Sequence, residues 1–108
     1  MAKEIINLRD AVNGAKSGLS IAVRSLIHNG IHDGSEERNR LENAFEEAKN
    51  ALATEVRLEH LTNAVANLKV AVNILSNHSL KNMNDLAVVK ETLAASETNL
   101  TRLQLPAA

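Results

Sequence analysis

The residues best equipped for chemistry sit in a tandem tetrapeptide, Ile27-His28-Asn29-Gly30 followed by Ile31-His32-Asp33-Gly34, with Glu36 close behind. His28, His32 and Asp33 offer imidazole and carboxylate ligands of the kind that zinc or nickel accepts. Gly30 argues against this use, because it interrupts the helix that would bring both histidines onto one face. The segment reads better as a polar turn between helices, with no metal or cofactor expected. Other chemistries lack their parts. The chain has no cysteine, so thiolate ligands, thiol nucleophiles and disulfides are excluded. It shows no glycine-rich phosphate loop, no nucleophile with a base at a recognisable spacing and no aromatic platform for bases. The expectation is a protein that is not an enzyme.

His60 is the one histidine expected within a helix. A small bundle with one exposed helical histidine resembles the histidine phosphotransfer domain, and that resemblance implies an imidazole that accepts a phosphoryl group. The residues after it, Leu61-Thr62-Asn63-Ala64, supply neither the lysine nor the glycine such a domain places beside its histidine. An ordinary surface histidine is the preferred reading, with phosphotransfer at His60 kept as the alternative.

The elements that must position these groups are helical. The 108 residues include 16 Ala, 15 Leu and 13 Asn against one aromatic side chain, Phe45, and one proline, Pro106. Ala and Leu favour helix, and the aromatic residues that favour strands are nearly missing. This length suits a single domain spanning 1–108. Twelve basic and thirteen acidic residues leave a net charge of −1, so no overall field draws the chain to nucleic acid or an anionic membrane. The apolar runs are too short for a membrane span or a signal peptide, and a cytoplasmic location is expected. The acidic charge is concentrated between 33 and 59, where Glu36-Glu37 and Glu46-Glu47 read as a solvated face that could also meet a basic partner.

Ile5, Leu8, Val12, Ala15, Leu19, Ala22 and Leu26 alternate three- and four-residue steps and predict a first helix over about 3–28, ending at Asn29-Gly30. Asp33 or Ser35 is expected to cap the second, with Leu41, Phe45, Ala48 and Leu52 as its buried stripe. From Ser35 to Asn77 there is neither glycine nor proline, so one continuous helix 36–77, giving three helices in all, is the alternative. A weak repeat decides against it. Leu41, Asn43, Ala44, Phe45, Ala48, Lys49, Ala51 and Leu52 recur as Leu61, Asn63, Ala64, Val65, Leu68, Lys69, Ala71 and Val72, and Leu8 to Leu19 form a third copy. An offset of 20 residues turns a helical stripe through about 200°, to the wrong side of one straight rod. A break at Ala53-Thr54-Glu55, with Thr54 capping the next helix, lets both stripes face one axis. The expected fold is an all-α, up-down four-helix bundle with helices at about 3–28, 36–53, 55–77 and 80–103. Leu58, Leu61, Val65, Leu68, Val72 and Leu75 line the third helix, and Met83, Leu86, Val89, Leu93 and Leu100 the fourth.

Residues 36–75, above all Leu41-Glu-Asn-Ala-Phe-Glu-Glu-Ala-Lys-Asn-Ala-Leu52 and Leu61-Thr-Asn-Ala-Val-Ala-Asn-Leu-Lys-Val-Ala-Val72, resemble the second and third helices of FIVAR modules. The resemblance covers under half the chain. It implies a small helical bundle used as a spacer or binding module. The sequence departs from that family in lacking an aromatic pair before the second helix and in carrying a fourth helix.

Two features of the first helix point to association. Gly14 and Gly18, with Ala11, Ala15 and Ala22, form a strip of small residues, and each interior glycine costs a helix about 1 kcal/mol, which implies a close approach. That approach is either to the bundle's own helices or to a partner. A first helix of about 26 residues would reach roughly 39 Å against about 27 Å for the second, leaving an apolar overhang with Ile21, Val23, Leu26 and Ile27. The expected binding surface is therefore Ala11, Gly14, Gly18, Ala22, Val23, Leu26 and Ile27. The expected function is protein association, as an assembly, adaptor or inhibitory component of the kind phages and mobile elements encode, with a protein partner or a homo-oligomer.

Overall fold

The computed structural model describes residues 7–30, 36–77 and 83–104 and is all-α. Its four helices are α1 (Leu8–His28), α2 (Glu36–Ala53), α3 (Leu58–Ser76) and α4 (Met83–Gln104). The expected caps Asp33 and Ser35, the seam residue Ile5, Leu80, the Met83 side chain and Pro106 lie outside what is described.

Two boundaries differ from expectation. The first helix begins at Leu8, because Asn7 adopts an extended backbone (ψ 134°) and its Oδ1 accepts the Arg9 N–H at 2.8 Å, as an N-cap does. The break after Ala53 is present, so the continuous helix 36–77 is not formed, but Thr54 closes α2 instead of opening α3. Its N–H reaches the carbonyls of Asn50 and Ala51, both at 3.1 Å, and its hydroxyl donates to Asn50 at 2.8 Å. At the other end Gly30 takes φ +84°, which glycine adopts at little cost, and it stops α1 where expected.

Heptad spacing on two helices builds the core. Val12, Leu19 and Leu26 of α1 and Leu61, Leu68 and Leu75 of α3 are fully buried, with Ala15, Ala22, Ala64 and Ala71 buried between them. Large and small side chains thus alternate along both helices, and this lets the backbones approach. α1 and α3 each pack against all three other helices, while α2 and α4 do not meet among the described residues. The cross-section is a flattened diamond with α1 and α3 on its short diagonal, in keeping with overall Cα extents of 47 × 29 × 16 Å. α2 contributes a mostly alanine stripe, Leu41, Ala44, Ala48 and Ala51, and α4 contributes Leu86, Val89 and Ser96. Arg9 donates from the start of α1 to the Leu52 carbonyl near the end of α2, satisfying a last-turn acceptor and joining two neighbours.

The two glycines of α1 have opposite environments. A Cβ at Gly18 would stand 2.5 Å from Thr92 Cγ2 and 3.0 Å from Leu68 Cδ2, so this glycine is where α4 and α3 close on α1. A Cβ at Gly14 would meet nothing within 4 Å. Gly14→Ala should therefore stabilise the fold by about 0.5–1 kcal/mol, whereas Gly18→Ala should destabilise it by about 1–3 kcal/mol despite the same gain in helix propensity. Urea unfolding followed by circular dichroism at the helix band separates the two. One heptad beyond Gly18, the buried Ser25 hydroxyl has no hydrogen-bond partner among the described residues. In the same assay Ser25→Ala should gain about 1 kcal/mol by removing an unsatisfied polar atom.

Candidate functional site

The seven residues expected to form a binding surface divide. Ala11, Gly18, Ala22 and Leu26 are buried inside the bundle and are not open to a partner. The strip they belong to serves the close approach of α1 to α3 and α4. Gly14 is exposed, with open space where a Cβ would stand, whereas Val23 is half-buried and Ile27 is 45% exposed. The apolar overhang is corrected at the same time. α1 has 21 residues against 18 in α2, 19 in α3 and 22 in α4, so the helices nearly match in length and Leu26 is fully covered.

Val23 and Ile27 instead belong to a groove between α1 and α2, with a volume of about 540 Å³. The α1 wall is Ser20, Val23, Arg24 and Ile27, whose three- and four-residue steps put them on one face. The α2 wall is Glu42, Asn43, Phe45 and Glu46. Val23, Ile27 and Phe45 supply apolar surface, with Arg24 on one wall and the two glutamates on the other. Glu42 is engaged by its neighbour Arg38, with Nε to Oε2 at 3.1 Å. Arg24 and Glu46 have no ion-pair partner among the described residues.

Phe45 is the element that the periodicity places differently. In the internal repeat it occupies the position of Val12 and Val65, both buried. Phe45 is only half-buried, because α2 sits at a corner of the diamond and touches two helices instead of three. Its stripe is correspondingly narrow. Leu41, Ala44, Ala48 and Ala51 fill it, and Phe45 and Leu52 flank it. Arg24 carries no sequence signal of its own, while Asn43 stood only as a member of the repeat and Glu46 only as part of an acidic face.

The histidines fall elsewhere. His28 is exposed at the last turn of α1, while His32 and Asp33 lie outside the described residues. No group of three metal-binding side chains occurs among the described residues. His60 stands in the first turn of α3. Its Nδ1 accepts the Arg57 backbone N–H at 2.9 Å, and the His60 backbone N–H donates to the Arg57 carbonyl at 2.9 Å. The imidazole thus fills the place of the glutamate or glutamine in a capping box, which Arg57, a donor only, cannot complete from its side. Among the described residues no helix is long and apolar enough to cross a membrane.

No family model, no curated protein and no solved structure matches the chain.

Leu26 and Ile27 are adjacent in sequence and opposite in environment. Leu26→Ala should cost about 2–5 kcal/mol, as truncation in a packed core does. Ile27→Glu should stay within about 0.5 kcal/mol of the wild type, as surface changes do. Both values are to be read from chemical unfolding at low micromolar protein.

Proposed function

We propose that this chain is a non-catalytic helical interaction module whose working surface is the α1–α2 groove. The observation that carries the reading is the convergence of Val23, Ile27 and the chain's one aromatic residue, Phe45, on a single groove flanked by charged side chains. Isolated exposed apolar residues are ordinary on any protein, but an apolar strip inside a charged rim is the arrangement that receives an amphipathic helix. Aromatic side chains are enriched at the centres of such interfaces. A purely mechanical spacer, one of the two uses that the FIVAR resemblance of 36–75 implies, has no use for such a groove.

The test uses a displayed library of amphipathic helical peptides selected against the full chain, with the bound face located by amide chemical-shift changes. Selected peptides are expected to shift residues around Val23, Ile27 and Phe45, and Ile27→Glu should weaken their binding at least about tenfold. Peptides that converge on another face, or that bind Ile27→Glu unchanged, would overturn the proposal.

A further inference from the structure

The charges of the groove are divided by wall. Arg24 stands on the α1 side, and Glu42 and Glu46 stand on the α2 side. A partner helix of one sign satisfies one wall and confronts the other, because a basic helix meets Arg24 and an acidic helix meets the glutamates. A second copy of the same surface carries the complementary division. A two-fold axis running along the groove lays the α1 wall of each copy over the α2 wall of the other. In that arrangement Arg24 of each copy faces Glu46 of its mate. Both groups are otherwise without an ion-pair partner among the described residues, whereas Glu42 already holds Arg38. Val23 and Ile27 of each copy then close against Phe45 of the other and lose their exposure to water. The net charge of −1 offers no long-range repulsion to oppose the association of two copies.

We infer that the occupant of the α1–α2 groove is a second copy of this chain, joined in a two-fold dimer by reciprocal Arg24–Glu46 pairs around an apolar strip of Val23, Ile27 and Phe45. The inference rests on the groove being the working surface and adds the identity of what fills it.

The experiment is a charge exchange read by light scattering behind a size-exclusion column. Concentration is followed by refractive index because the chain has no Trp or Tyr. The wild type is expected at twice 11.7 kDa over part of the range from about 5 to about 500 µM. Arg24→Glu alone puts two carboxylates at each contact and Glu46→Arg alone puts two guanidinium groups there. Each single variant should dissociate at least about tenfold more readily, with far-UV circular dichroism unchanged because both side chains are exposed. Mixing the two variants makes both contacts complementary again, so the mixture should recover the dimer that neither forms alone. A wild type that stays at 11.7 kDa throughout overturns the inference, while peptide selection at the groove can still succeed and leave the docking reading standing. A dimer that ignores the single charge reversals, or a mixture that fails to restore it, also overturns the inference by moving self-association to another face.

Discussion

The close approach of α1 to α3 and α4 is the constraint on which the rest of the bundle depends. At Gly18 there is no room for a methyl group between Thr92 and Leu68, and the neighbouring turns of α1 place Ala11, Ala15 and Ala22 along the same interior. Small residues bury little apolar area themselves. Their contribution is to bring helix backbones together, so that the intervening Val12, Leu19 and Leu26 can fill the core without voids. α1 therefore touches every other helix, and α3, with the same alternation of leucine and alanine, does likewise.

The flattened diamond that follows has unequal corners. Helices on the short diagonal are covered on several sides, while α2 and α4 are each held by two neighbours and keep a broad outer face. On α2 that face carries Phe45 and Leu52 at the margins of an alanine stripe, with glutamates beyond them. The groove between α1 and α2 lies at such a corner, where α2 has only two neighbours. Polar contacts across the bundle follow the same geometry. Asn63 donates to Glu47 at 3.0 Å between α3 and α2, and Lys69 pairs with Glu97 at 3.3 Å between α3 and α4. Both lie at the surface, where such pairs contribute little to stability.

The capping of the helices shows how local requirements recruit residues that could have been mistaken for chemistry. His60 lends Nδ1 to the Arg57 N–H, and Arg9 supplies donors to the end of α2. Helix ends leave backbone donors and acceptors unpaired, and in a chain of modest length nearby polar side chains are drawn into satisfying them. A histidine in the first turn of α3 has a structural purpose before any other is considered.

Helix number, the break after Ala53 and most of the core were determined by the sequence alone, because apolar periodicity and the 20-residue offset of the repeat allow one consistent solution. Leu61, Val65, Leu68 and Leu75, like Val12, Leu19 and Leu26, are buried as their spacing requires, whereas Leu58, expected in the same seam, is 36% exposed and Val72 is half-buried. Periodicity reports the direction in which a side chain points but not how many neighbours its helix has. That number was decided only in the tertiary structure. It made Gly18 an interior contact and left Gly14 on the surface. It left Ile27 exposed beside the buried Leu26, and kept Phe45 half in water although its equivalents Val12 and Val65 are covered. The charge division across the groove is tertiary for the same reason, since Arg24 and Glu46 lie on different helices and acquire a common surface only when α1 and α2 are packed.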